Sequence, residues 1–203
     1  MDKRSEARLV VSRHAAALFW EHGVAATSGD DIAEAAGLST RTIWRYFRSK
    51  ESCVEPLLAR SMDRFAAALR RWPSELSLGE HFAEDNAAHP LSQQDIEDEV
   101  SALRITVMTA TEPALRTAYL MVHDQLEQSF IPVVAKRLLL PEDDLTVRLC
   151  AATVTGALRV VDEDVARAII VDKREITEQG VLSLVDQAVR DATNGRLGGP
   201  VKR

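Results

Sequence analysis

"DDIAEAAGLSTRTIWRYFRSKES", residues 30–52, joins an alanine-rich apolar piece, a Gly-Leu-Ser break and an aromatic, basic run. Four cations, Arg41, Arg45, Arg48 and Lys50, fall within ten residues of a chain whose net charge is −6. Ser28-x-x-Asp31 supplies a capping-box entry to one helix, which ends at Gly37. Ser39 caps a second, short helix over about residues 40–46. With Thr40 set to zero and roughly 100° per residue, Ile43 and Phe47 fall at about 300° and 340°. Arg41, Thr42, Arg45 and Tyr46 fall between about 100° and 240°, and Trp44 lies nearest the packed side. One face therefore packs, with Ile32 and Leu38, while small Ala33 and Ala36 let another helix approach. The other face presents donors, a methyl group and a phenol. A helix-turn-helix needs this division, because its second helix enters the major groove with a free polar face. Arginine can read guanine there, and threonine can touch a thymine methyl.

Outward from that stretch, helical spacing continues. The chain has 203 residues, 46% of them hydrophobic, with few Gly and Pro. Apolar residues recur every three or four positions, which predicts an all-α fold of about nine helices. Residues 1–50 hold 8 Lys and Arg against 6 Asp and Glu, and the rest hold 17 against 25. The positive excess thus sits at the N-terminal end, while bulk attraction to nucleic acid is not expected. Cys53 and Cys150 are far apart, as in a reducing compartment rather than a disulfide frame. No apolar run approaches a membrane span and no signal-like segment opens the chain, so a soluble, cytoplasmic protein without membrane contact is expected.

The first helix is expected from about Ser5 to His22, with Val11, Ala15, Leu18, Phe19 and His22 on one face and Gly23 as its stop. Ser49 is expected to cap a long fourth helix to about residue 72, bent by Pro56. Further helices are expected over about 77–87, 92–110, 112–139 (kinked at Pro132), 142–171 and 174–193. In the sixth, Ile96, Val100, Leu103, Val107 and Ala110 align. The final stretch "NGRLGGPVKR" shows no apolar face and reads as mobile. The expected division is residues 1–49 as a helix-turn-helix DNA-binding head, 50–195 as a larger helical domain, which the family resemblance below implies binds an effector and dimerises, and 196–203 as a flexible tail.

"AALFWEHGVAATSGDDIAEAAGLSTRTIWRYFRSKE", residues 16–51, resembles the DNA-binding domain of the TetR (tetracycline-repressor-like) family of bacterial regulators. The pattern is carried by Phe19 and Gly23, Thr27 and Ser28, Ile32 and Ala33, Ala36-Gly37-x-Ser39, and Trp44-x-Tyr46-Phe47 with Lys50-Glu51. The sequence departs from it in three places: Trp44 where tyrosine is usual, Gly29 where an apolar residue is usual, and Cys53 for a leucine. The resemblance implies that Thr27, Ser28 and the first N–H groups of helix two hold a phosphate. It implies that Thr40, Arg41, Thr42 and Arg45 face bases or backbone, and that Trp44, Tyr46 and Lys50 clamp phosphates and sugars. It further implies a homodimer on a palindromic operator, with helices eight and nine as the interface. Leu145, Leu149, Ala152, Gly156 and Val160, with Val181, Leu184, Val185 and Ala188, suit that role.

The remaining chemistry is sparse. His123 shares a helical face with Leu115, Tyr119, Val122, Leu126, Phe130 and Val133, which fits either a core histidine or a ligand contact. Phe65 and Trp72 continue the fourth helix's stripe, and Arg104 and Thr106 flank that of the sixth; each fits core or pocket wall. Phe65, Trp72, Thr106, Tyr119 and His123 form the candidate effector set, for a small apolar or aromatic molecule. His81, Asp85 and His89 recur at i, i+4 and i+8, but a solvated face is favoured over a metal site. No HExxH, P-loop, GxGxxG or GxSxG occurs, so no enzyme, cofactor or metal is expected. The alternative reading is a helical small-molecule binding protein with a vestigial head.

Overall fold

The computed structural model describes residues 3–201. Among them are nine α-helices and no strand: α1 Lys3–His22, α2 Gly29–Ala35, α3 Thr40–Tyr46, α4 Glu55–Arg71, α5 Leu78–Ala88, α6 Gln93–Met108, α7 Pro113–Leu138, α8 Leu145–Ala166 and α9 Glu178–Ala192. They form two compact units that cut across chain order. One comprises the chain up to Ser61 with Gln93–Val122; the other comprises Met62–Ser92 with the chain from His123 onward.

In the first unit, α1 buries Leu9, Val11, Ala15, Ala16 and Phe19, whereas His22 is exposed. Among the described residues the helix already runs from Lys3, two residues before the expected start. Gly23 ends it with φ at 86°, a left-handed conformation that costs glycine nothing. Ser28 and Asp31 close the expected capping box on α2, and Gly37, with φ at 64°, turns the chain into α3. Ile32, Ile43 and Phe47 are buried and Leu38 is half-buried, so the shared core between α2 and α3 forms as the spacing implied.

The entry to α4 differs from expectation. Residues Glu51–Val54 make a 3-10 turn, held where the hydroxyl of Ser49 accepts from the Ser52 N–H at 3.2 Å. The α-helix then opens at Glu55-Pro56. Pro56 therefore stands in the first turn, where its missing N–H leaves no bond unmade, instead of bending the helix. The next N–H, that of Leu57, donates at 3.0 Å to the hydroxyl of Ser12 on α1, a fully buried serine.

α6 is turned differently from the expected stripe. Asp98, Ala102, Ile105 and Thr106 face inward, Val100, Leu103 and Val107 are half-buried, and Ile96 is exposed. Arginine partners explain the inward carboxylate. Arg13 on α1 makes a two-bond fork to Asp98 at 2.7 and 2.8 Å, and Arg60 reaches Asp98 at 3.2 Å and Asp95 at 2.7 Å. A buried carboxylate is costly alone but tolerated when ionically paired and hydrogen-bonded.

In the second unit, one core gathers Leu69 from α4, Trp72 just after it, Leu78 and Phe82 from α5, and Phe130, Val133 and Val134 from α7. Val147, Ala151, Val154 and Leu158 of α8, with Val185 and Val189 of α9, complete it. α8 starts at its Asp144 cap and gives way after Ala166 to a π-helical turn, Arg167–Val171; α9 starts at its Thr177 cap. Pro132 lies within a continuous α7.

The end of the chain to Val201 is docked, not free. Leu197 is buried in this core, worth roughly 1.5–3 kcal/mol for such a side chain. Leu78 N–H donates to Gly198 O at 2.8 Å, and Val201 N–H to Ser74 O at 2.8 Å. Arg137 lies 3.6 Å from the ring centroid of Trp72 and donates to Pro73 O at 2.8 Å, Leu76 O at 3.2 Å and Gly199 O. Burial pushes its pKa down, and the carbonyl cage with the ring face replaces the lost hydration. The expected mobile tail missed a single leucine and two carbonyls; Lys202 and Arg203 lie outside the described residues.

Candidate nucleic-acid interface

α3 follows the capped turn at Ser39, whose hydroxyl accepts from Thr42 N–H at 3.3 Å and pairs with the Thr42 hydroxyl at 2.9 Å. Ile43 fixes the inner face by full burial. Arg41, Trp44 and Arg45 are exposed, while Thr40, Thr42 and Tyr46 are half-buried. Arg41 has no side-chain partner among the described residues. Arg45 lies 5.0 Å from the Tyr46 ring centroid and 3.2 Å from its hydroxyl. Helical geometry placed Trp44 nearest the packed side, yet 46% of it is exposed.

Two arginines of α1 join this surface. Arg4 sits 5.7 Å from the Tyr46 ring centroid and Arg8 sits 5.3 Å from that of Phe47. The first helix was expected only from about Ser5, which left Arg4 out; its spacing of one helical turn from Arg8 was the available signal. Arg48 is an ion-pair partner of Glu55, with its guanidinium also 2.9 Å from Met121 sulfur.

Several residues assigned to phosphate are otherwise engaged. Thr27 is buried and its hydroxyl donates to Gly23 O at 2.9 Å, closing the end of α1. Ser28 gives its hydroxyl proton to Asp31 at 2.7 Å and accepts from the Asp31 N–H at 3.1 Å. The Asp31 carboxyl is held below its usual range first by the Ser28 N–H and then by the Ser28 hydroxyl, so it stays ionised. Thr40 ties α3 back to α2 through Asp30 at 2.5 Å. Two carboxylates thus occupy the first turn of α2, where the family pattern implies a phosphate. Lys50 turns inward: its ammonium donates to Val24 O at 2.6 Å and Thr27 O at 2.7 Å, bracing the α1–α2 turn. Cys53 packs in leucine's usual place, and burial pushes its thiol up to about 12, far from a reactive thiolate.

The effector candidates divide between the units. Thr106 and Tyr119 are buried in the first, and the Arg116 guanidinium lies 5.6 Å from the Tyr119 ring centroid. His123 and Trp72 are buried in the second, where half-buried Phe65 lies 5.7 Å from Phe82. Trp72 serves as core: its N–H donates to Leu76 O at 3.0 Å and Arg137 covers one ring face. His81 and Asp85 are buried rather than solvated; Asp85 forks to Arg71 at 2.7 Å twice, and His81 meets Ala68 O at 2.7 Å. Among the described residues no group of three or more His, Cys, Asp or Glu is placed to hold a metal.

Of the interface candidates, Leu145, Leu149 and Leu184 are exposed, Gly156, Val181 and Ala188 are half-buried, and Val185 belongs to the core.

A short capped helix with arginines outward and isoleucine inward, set against a second helix across a glycine turn, defines a helix-turn-helix regulator of transcription. The chain belongs to the TetR family of bacterial regulatory proteins. The family model described as bacterial regulatory proteins, tetR family, matches residues 13–57, and that described as the MftR C-terminal domain matches residues 86–190. The HTH-type transcriptional repressor ComR of Escherichia coli K12 is 46% identical over 50 residues, 25% of this chain and 24% of ComR's own length. A TetR-family regulator from Streptomyces coelicolor shares the fold, at 20% identity and TM-score 0.54 over 95% of this chain and 83% of that one. So does FadR from Bacillus subtilis, solved with stearoyl-CoA, at 16% identity and TM-score 0.54 over 92% and 98%. Among the described residues no helix is long and apolar enough to cross a membrane.

Proposed function

We propose that this protein is a cytoplasmic, dimeric repressor that binds a palindromic operator through α3 and is released by a small effector. The carrying observation is the outward face of α3, where Arg41, Arg45 and Trp44 stand exposed on a helix locked inward by Ile43. In this reading Arg41 and Thr42 face bases, while Arg45, Tyr46, Trp44 and Arg4 meet the backbone. Thr27 and Lys50 hold the turn that aims the head. The protein acts by binding, not catalysis. The exposed stripe of Leu145, Leu149 and Val160 on α8, with Leu184 on α9, supports pairing of two copies there.

The effector is proposed to be apolar or amphipathic, since the buried side chains along α7 are mostly apolar with few polar groups such as His123. The acyl-CoA carried by the B. subtilis FadR makes acyl thioesters the first class to screen. Release would be a population shift between DNA-competent and incompetent dimers. The test is duplex binding at several salt concentrations, with and without such ligands. The proposal expects a steep fall of affinity with salt and loss of the complex on adding one ligand. Ligand binding by a chain that retains no duplex at low salt would favour the vestigial-head alternative.

A further inference from the structure

Gly29 opens α2 without a left-handed φ, so conformation does not explain why glycine stands there. Space does. A Cβ on Gly29 would lie 2.7 Å from Cη2 and 3.2 Å from Cε2 of the Trp44 indole, and closer still to Cζ2. The indole rests on bare backbone, and the side chain is still half open to solvent. Alanine at this helical position would gain up to about 1 kcal/mol in helix propensity. The glycine therefore forgoes local stability and leaves the ring a seat. The two departures from the family pattern, Gly29 and Trp44, are one feature: the larger ring of α3 occupies the volume that a side chain on α2 would fill.

We propose that Gly29 is a positioning residue for DNA binding, acting through Trp44. Seated on α2, the indole is held in one orientation before DNA arrives, so less rotamer freedom is lost on binding. It offers one N–H donor and an apolar edge, suited to the sugar–phosphate backbone of duplex DNA. The inference rests on the regulator reading. Because the clashing atoms are the far end of an exposed side chain, Gly29→Ala moves the ring rather than unfolding the head.

The test is a double-mutant cycle on the full chain, using a duplex selected by the wild type. Trp44→Ala and Gly29→Ala are each expected to weaken binding about fivefold to tenfold, and the double mutant to be no weaker than Trp44→Ala alone. In a Trp20→Phe background, where Trp72 is buried, Gly29→Ala is expected to raise acrylamide quenching of Trp44 emission while the melting temperature holds. Wild-type affinity for Gly29→Ala, additive losses, unchanged quenching or a large fall in melting temperature each overturn the proposal. A wild type that selects no duplex overturns the regulator reading along with it, a result distinct from normal DNA binding by Gly29→Ala.

Discussion

Arg41 and Lys50 belong to the same basic run, yet their side chains do opposite things. Arg41 is free to meet DNA, whereas two of the Lys50 ammonium's donors are taken by Val24 and Thr27 carbonyls. Arg41→Ala is expected to relax base preference at one symmetric operator position, at about 1–3 kcal/mol of discrimination, measured by binding to single-base operator variants. Lys50→Ala is expected to destabilise the fold by about 1–2 kcal/mol in denaturant unfolding. It should leave the salt slope of DNA binding unchanged; a slope reduced by about one at unaltered stability would return Lys50 to the phosphate backbone. The motif was legible from residue spacing alone, because burial of Ile43 and Phe47 dictates which side of α3 is left over. The inward turn of Lys50 was not, since a flexible four-carbon stem can reach either water or a carbonyl and the spacing is the same for both.

At the scale of elements, carboxylates determined what periodicity did not. The apolar series through Ile96 predicted one face for α6, but the fork between Arg13 and Asp98 turns another face inward. Sequence patterning counts aspartate as a surface residue, and the half-buried partner of Asp98, Arg13, lies 85 positions away. Arg71 and Asp85 tie α4 to α5 in the same way, and the Arg71 hydrogen bond holds the Asp85 carboxyl below its usual range. The folded pKa is thus lower than the unfolded value of about 3.9, so the pair stabilises above about pH 4 and its contribution is lost as pH falls through the folded value. Asp85→Asn is expected to lower stability at pH 7 and to flatten the acid limb of the stability curve below about pH 4. Denaturant unfolding from pH 7 to pH 2 checks this; an acid limb as steep as that of the wild type would show that other carboxylates carry it.

For the molecule as a whole, the proposed operator reading gives each head only a half-site and so calls for two copies. Leu145 and Leu149 are 65% and 58% exposed, large values for leucines on a helix whose other side is core. Leu149→Glu is expected to yield a monomer by light scattering at micromolar concentration and to lose operator affinity, with helix content retained. An unchanged dimer would move the interface elsewhere. A two-fold pair sets recognition helices about 34–36 Å apart, one turn of the duplex. Selection of bound duplexes from a random pool by the full chain therefore reads out this two-fold geometry. A two-fold pair of heads is expected to enrich a site with dyad symmetry whose half-sites are about 10 base pairs apart centre to centre, or a multiple of that. Absence of enrichment, or an enriched site without a dyad, would contradict it.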